Sequence, residues 1–222
     1  MELRDYQKDI VKRGIDIIAD HRLLYLQMEV RTGKTLTSLS ICEELGASNV
    51  LFITKKKAIT SIQNDYDKFG FSFDITIINN ESLHKVDGDF DILVSDEHHR
   101  NGSFPKPNKS TKLIKQRWST LPMIFLSGTP NAESYSQVYH QYWVSIHSPF
   151  KQWTNFYKWA KEFVNVTERN FGYANVKDYS SADYNKIKPY VDKHIITYTQ
   201  SEAGFESNVN EHILWCDIKE ST

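Results

Sequence analysis

Three short strings carry side chains that could act on a phosphate. The first, MEVRTGKTLTS from Met28 to Ser38, contains Gly33, Lys34 and Thr35 in a row. A glycine lets the backbone approach a bound anion, a lysine ammonium faces the β- and γ-phosphates, and a threonine hydroxyl can ligate Mg²⁺. Arg31, Thr32 and Leu36 complete this candidate cofactor-binding loop, with Lys34 also a candidate catalytic group. The second string, ILVSDEHHR from Ile92 to Arg100, ends an apolar run in Asp96 and Glu97. Asp96 is a candidate for Mg²⁺ through water, and Glu97 for general base on an attacking water. The third, FLSGTP from Phe125 to Pro130, offers the hydroxyls of Ser127 and Thr129 as a relay between the phosphate site and a bound polymer. Each string also has a plain reading: a helix start with an accidental lysine, a solvated acidic loop, a Ser/Gly/Pro turn. Their joint placement argues against coincidence, because each follows a short apolar run of strand type.

The intervening elements follow from hydrophobic period. Ile10, Val11, Ile15, Ile17 and Ile18 fall at roughly helical spacing. Leu23–Gln27, Asn49–Thr54, Asp74–Ile78, Phe90–Ser95 and Pro122–Ser127 read as buried strands. Between them lie a helix ending at Gly46 and another stopped at Gly70, with Ile59, Ile62 and Tyr66 on one side. Buried strands alternating with amphipathic helices predict a parallel α/β sheet with helices on both faces. Open sheets of that kind bind ligands at the carboxyl ends of their strands, where all three strings fall.

After Pro130 the texture changes. Trp153, Phe156, Trp159, Ala160 and Phe163 predict an aromatic-faced helix that belongs to the core rather than to a base-stacking surface. Asn165 to Asp183 reads as a polar loop with a hairpin, Tyr184–Lys193 as a helical stretch broken near Pro189, and His194–Thr199 as a late strand. One more alternating run is expected in the tail from Glu206. The stretch Arg100–Lys112 reads as a basic Gly/Pro surface loop.

Bulk properties set the limits. With 222 residues, 40% apolar residues and a formal charge of −1, the chain can bury a sizeable core and is no polycation, so any nucleic-acid contact must use local patches. Two distant cysteines, Cys42 and Cys216, argue against a disulfide scaffold, and the scattered histidines have no zinc-ligand spacing. No apolar run is long enough to span a bilayer and no signal core precedes the first helix, so a cytoplasmic location and no membrane partner are expected.

The order of the strings resembles the first motor lobe of superfamily-two helicases, most closely the Swi/Snf-type DNA translocases. LRDYQ, Leu3 to Gln7, resembles the family's opening motif, and MEVRTGKT its phosphate loop. VLFITKKKAI resembles motif Ia, IINNESL the Asn-Tyr-Glu-type motif, DEHHR a DExH box followed by Arg, and LSGTP motif three. The likeness runs from Leu3 to about Pro130 and is weaker from Phe150 to Thr199. It implies a RecA-like fold with ATP and Mg²⁺ as cofactors. Arg4 and Gln7 would lie on the cofactor side, with Gln7 reading adenine. Thr35 and Asp96 would hold the metal, His99, Ser127 and Thr129 would couple the sites, and Lys55, Lys56 and Asn80 would meet nucleic acid, double-stranded DNA above all. The implied organisation is a RecA-like ATP-binding lobe over 1–145, an aromatic-rich extension completing it over 146–200, and a linker over 201–222 towards a second RecA-like lobe in cis or trans.

Two letters depart from the pattern. Arg31 stands where the family has glycine, which removes a residue tolerant of positive φ; its backbone is expected to line the loop with its side chain directed away. His98 replaces a small alanine at a position not counted among the essential groups. The reading that results is ATP binding and Mg²⁺-dependent hydrolysis in a DNA-dependent translocase or helicase, slow in an isolated lobe. The alternatives are a nucleotide-gated binding module without turnover and the motor subunit of a restriction system.

Overall fold

The computed structural model describes residues 2–131, 133–170 and 175–204. The expected tail strand, Cys216, His212 and most of the 201–222 linker lie outside the described residues.

Helix α1 (Asp5–His21) buries Ile10, Val11, Gly14 and Ile18 on one face. It leads into β1 (Leu23–Met28), α2 (Lys34–Glu44), β2 (Asn49–Thr54), α3 (Ile59–Phe69) and β3 (Asp74–Asn79). Next come β4 (Ile92–Asp96), α4 (Lys109–Trp118), β5 (Met123–Leu126), α5 (Val138–Trp143) and α6 (Phe156–Phe163). A hairpin of β6 (Thr167–Asn170) and β7 (Asn175–Asp178) precedes α7 (Tyr184–Val191) and β8 (Ile195–Tyr198). Six strands form one sheet in the order β3-β2-β4-β5-β1-β8, every pair parallel, while β6 and β7 pair antiparallel.

Both faces are covered, which is why the strands read as unbroken apolar runs. Leu24, Leu26, Val50, Phe52, Ile124 and Leu126 face α1, α2 and α3. Leu23, Tyr25, Leu51, Ile53, Met123 and Phe125 face the opposite way, onto a cluster that includes Tyr139, Tyr142, Phe150, Trp153, Phe156, Trp159 and Phe163. Trp159 is fully buried, so the aromatic stripe is core. Among the described residues, no helix is long and apolar enough to cross a membrane.

Several local expectations are corrected. Trp153 lies in a turn three residues before α6 begins, because the Asn155 side chain accepts from the Lys158 N–H and starts the helix there. Pro189 lies inside α7 rather than breaking it; tertiary packing of Ile187 and Val191, both buried, outweighs one lost backbone bond. The Gly/Pro stretch is shorter than it reads. It opens in a 3-10 turn over His98–Asn101 and ends at Asn108, whose side chain caps α4. The helix after β2 likewise opens as a 3-10 turn, Lys56–Ala58.

Candidate active site

Strand register brings the three strings together. Leu26 on β1 pairs with Leu126 on β5, and Leu126 pairs with Asp96 on β4. The ends of β4 and β5 are therefore level, β1 runs two residues further to Met28, and the chain leaves all three at the same carboxyl edge. A Cβ built on Gly128 would stand 3.8 Å from Lys34 Nζ and 3.5 Å from the Met28 carbonyl, so the third string lies against the first. The second touches the third through His99 Nδ1 and Ser127 Oγ, 2.9 Å apart, and Ser127 Oγ also accepts from the Thr129 N–H at 3.1 Å.

The loop before α2 is held by its own side chains. Thr32 Oγ1 donates to the Glu29 carbonyl at 2.7 Å, and Lys34 Nζ to the same carbonyl at 3.1 Å. Tyr6 donates its hydroxyl to the Thr32 carbonyl at 3.0 Å. Gly33 caps α2 at φ 79, in the left-handed region. The left-handed φ is what favours glycine there, and a Cβ would in addition push aside the Gln7 amide, whose Nε2 would lie 2.4 Å away. Gln7 is buried, and its Oε1 accepts from the Arg4 N–H at 3.0 Å, which caps the start of α1 and fixes the side chain that lies against Gly33. Arg31 takes φ 65, the strained conformation that the missing glycine would have relieved, and it is exposed.

The carboxylates sit next door in different electrostatic settings. Asp96 accepts from Thr54 Oγ1 at 2.7 Å and from the Glu97 N–H at 2.9 Å. Burial nonetheless pushes its carboxyl above the usual range, and burial likewise pushes the Lys34 ammonium down. A phosphate beside Lys34 and a divalent cation beside Asp96 would each restore the charge that burial disfavours, so these residues fit a Mg²⁺–nucleotide. The oxygen donors of Thr35 and Asp96 are of the type Mg²⁺ takes. Glu97 sits at φ 50. Burial works to raise its carboxyl, but the Lys55 hydrogen bond and charge prevail and hold it below the usual range. That bond, from Lys55 Nζ to Glu97 Oε1, is 2.7 Å long.

His98 is no neutral replacement. It is fully buried, stacked 3.6 Å from the Phe125 ring, with Nε2 donating to the Gln141 carbonyl at 2.9 Å. Its Nδ1 therefore accepts, from Ser95 Oγ at 2.8 Å and Asn101 Nδ2 at 3.2 Å. Burial drives its pKa down to about 3, consistent with this neutral tautomer.

Not every candidate converges. Lys56 and Asn80 follow β2 and β3 at the same edge, and Asn80 Oδ1 is buried without a partner. Thr129 lines a separate cavity of about 410 Å³ with Tyr25, Gln27 and Tyr142, which contains none of Lys34, Asp96 or Glu97. Three contributors escaped the sequence reading. Tyr198 stacks on Tyr6 at 4.5 Å and its carbonyl accepts from the Glu29 N–H. Gln200 reaches Glu29 Oε2 through its N–H and the Val30 carbonyl through Nε2. Gln141 joins Tyr25 to the Pro130 carbonyl. No local pattern announces them, since each acts across more than a hundred residues of chain.

A six-stranded parallel sheet covered by helices on both faces, with the Gly33-Lys34-Thr35 loop, Asp96-Glu97 and the Ser127 turn at one carboxyl edge, is a RecA-like α/β fold. The comparisons agree. The family described as "Type III restriction enzyme, res subunit" matches residues 1–70. The SWI2/SNF2 ATPase core of Sulfolobus solfataricus, solved in complex with dsDNA, superposes with a TM-score of 0.69 at 13% identity, over 92% of this chain and 46% of that one. The Hef helicase domain of Pyrococcus furiosus gives 0.50 at 15% identity, over 63% of this chain and 36% of that one. The chain thus spans less than half the length of either structure. No curated protein matches the sequence.

Proposed function

We propose that the chain is the first motor lobe of an ATP-dependent, double-stranded-DNA translocase or helicase, and that it binds ATP with Mg²⁺ and hydrolyses it. The observation that carries this reading is that the neighbouring strands β1, β5 and β4 run parallel and open at one carboxyl edge, with the phosphate loop, the carboxylate pair and the Ser127 turn side by side. In this reading the N–H groups at the start of α2 and the Lys34 ammonium hold the β- and γ-phosphates. Thr35 and Asp96 hold Mg²⁺, which when bound neutralises charge on the phosphate oxygens. Glu97 takes the proton of the attacking water. Gln7, close against Gly33, would read the adenine edge. His99 and Ser127 link the carboxylate string to the turn, and so couple nucleotide state to the DNA side. Residues 1–145 would form the catalytic lobe, with 146–200 completing its core. The lobe is expected to turn over slowly without a second lobe, since an arginine supplied from outside contributes about 10³–10⁵ in related hydrolases. A cytoplasmic location belongs to this reading, and among the described residues no helix is long and apolar enough to cross a membrane.

ATPase activity with and without duplex DNA tests the reading. Glu97→Gln should lower turnover by roughly 10²–10⁴-fold while nucleotide binding persists, and Lys34→Ala should weaken binding itself. Turnover untouched by Glu97→Gln would overturn the assignment. ATP binding without any turnover, DNA present or absent, would favour the nucleotide-gated module instead. The family matched over residues 1–70 favours a restriction-type motor among the enzymatic alternatives.

A further inference from the structure

Lys55 stands at a junction. It is the first residue after β2, and the 3-10 turn Lys56–Ala58 follows it, so three consecutive lysines leave the carboxyl edge of the sheet together. All three are exposed. Lys55, Lys56 and Lys57 form a short cationic strip at the end of β2, and Lys56 and Arg100 both lie within electrostatic reach of Glu81 after β3. Lys55 is the member of this strip nearest the carboxylates, and it donates to Glu97 at 2.7 Å. The pair is half in solvent, with side-chain exposures of 46% and 33%. An ion pair so exposed is weak enough to exchange. Glu97 is also held in an uncommon backbone conformation, φ 50, so the pair fixes a carboxylate whose chain direction is already constrained.

We propose that Lys55 is shared between Glu97 and a polyanion backbone, and that it thereby positions the general base according to whether the strip is occupied. Without polyanion, the ammonium keeps Glu97 Oε1 engaged and makes this oxygen a weaker acceptor of a proton from water. A duplex phosphate laid along Lys55–Lys57 offers the ammonium an anion and frees the carboxylate. Lys55 is a positioning residue in this scheme, and the scheme rests on the hydrolytic reading of Glu97 given above. It goes further by naming the contact through which nucleic acid would speak to the base.

Competition makes the idea testable by binding alone, separately from turnover. The affinity of the full 222-residue chain for a fluorescein-labelled 30-base-pair duplex of mixed sequence would be measured without nucleotide, at fixed low salt. Glu97→Gln should bind about two- to fivefold more tightly than the parent, the range an exposed ion pair allows. Lys55→Ala should bind more weakly, and Lys55→Ala with Glu97→Gln should match Lys55→Ala. Lys55→Arg, which keeps the charge, should keep the gain from Glu97→Gln. A gain that persists in the Lys55→Ala background would show that only general charge repulsion was removed, and would overturn the proposal. Absence of any gain, or of duplex binding in every variant, would do the same. ATPase assays on the same variants keep the two readings apart. Lys55-dependent gain without turnover would uphold the shared lysine and sink hydrolysis. Turnover lost in Glu97→Gln without the gain would do the reverse.

Discussion

At the scale of single residues, the phosphate loop holds two left-handed positions of opposite suitability. Gly33, at φ 79, cannot take a side chain without backbone strain and without displacing the Gln7 amide. Arg31, at φ 65, has a side chain where glycine would be relaxed. A left-handed L-residue costs about 1–2 kcal/mol, part of which glycine returns as unfolded-state entropy. Arg31→Gly should therefore stabilise the protein by about 0.5–1 kcal/mol, and Gly33→Ala should destabilise it by at least about 1–2 kcal/mol. Urea titrations of both variants would check this. An unchanged or lowered midpoint for Arg31→Gly would mean that the exposed arginine makes contacts worth more than the strain. The expectation that the Arg31 side chain leaves the loop agrees with its exposure. The strained φ of Glu97 had no such signal, because a glutamate in a D-E-x-H string says nothing of its backbone.

At the scale of elements, α7 shows tertiary packing overruling local chemistry. Pro189 cannot donate to the carbonyl four residues back, yet α7 continues to Val191. Pro189 itself is exposed, so its ring contributes little packing. Pro189→Ala restores a backbone bond and loses only chain stiffness in the unfolded state. It should stabilise by about 1–2 kcal/mol, the interior proline penalty less the entropic term. A melting temperature that fell on this substitution would show that the proline's fixed φ contributes more to stability than the restored backbone bond. The aromatic helix α6 behaves as its period suggests, with Phe156, Trp159, Ala160 and Phe163 all buried. Trp159→Ala should cost about 3–5 kcal/mol by opening a cavity under the sheet, measured by denaturant unfolding.

For the whole molecule, buried neutral histidines make stability depend on pH. His140 donates Nδ1 to the Ser103 carbonyl at 2.7 Å and is almost fully buried. His194 is equally buried, stands 4.9 Å from the His21 ring, and has Nε2 without a partner. Burial lowers the pKa of both to about 4, from an ordinary value of 6.5. Between those values the unfolded chain binds the protons and the folded one does not. The stabilisation is therefore complete above about pH 6.5 and is lost as pH falls towards 4. Each histidine should withdraw about 2 kcal/mol by pH 5. Chemical unfolding at pH 7.5 and pH 5 checks the sign. A protein more stable at pH 5 would contradict the burial of these rings as neutral species.

Alternation of apolar strands and helices sufficed to determine a parallel α/β sheet, and Gly33-Lys34-Thr35, Asp96-Glu97 and Ser127 were legible because each is local: a strand, a turn, a side chain type. Period and turn chemistry act over a handful of residues, and a sequence displays them directly. Strand order was not written locally. Only the folded sheet decided that β4 and β5 lie between β1 and β2, and so set residues near 30, 96 and 127 at one carboxyl edge. It also decided that Tyr198 and Gln200, far along the chain, brace the phosphate loop, and that Lys55, legible as a surface lysine, grips Glu97. Contacts across tens to more than a hundred residues arise from packing two apolar faces at once, and no short window of sequence contains that constraint.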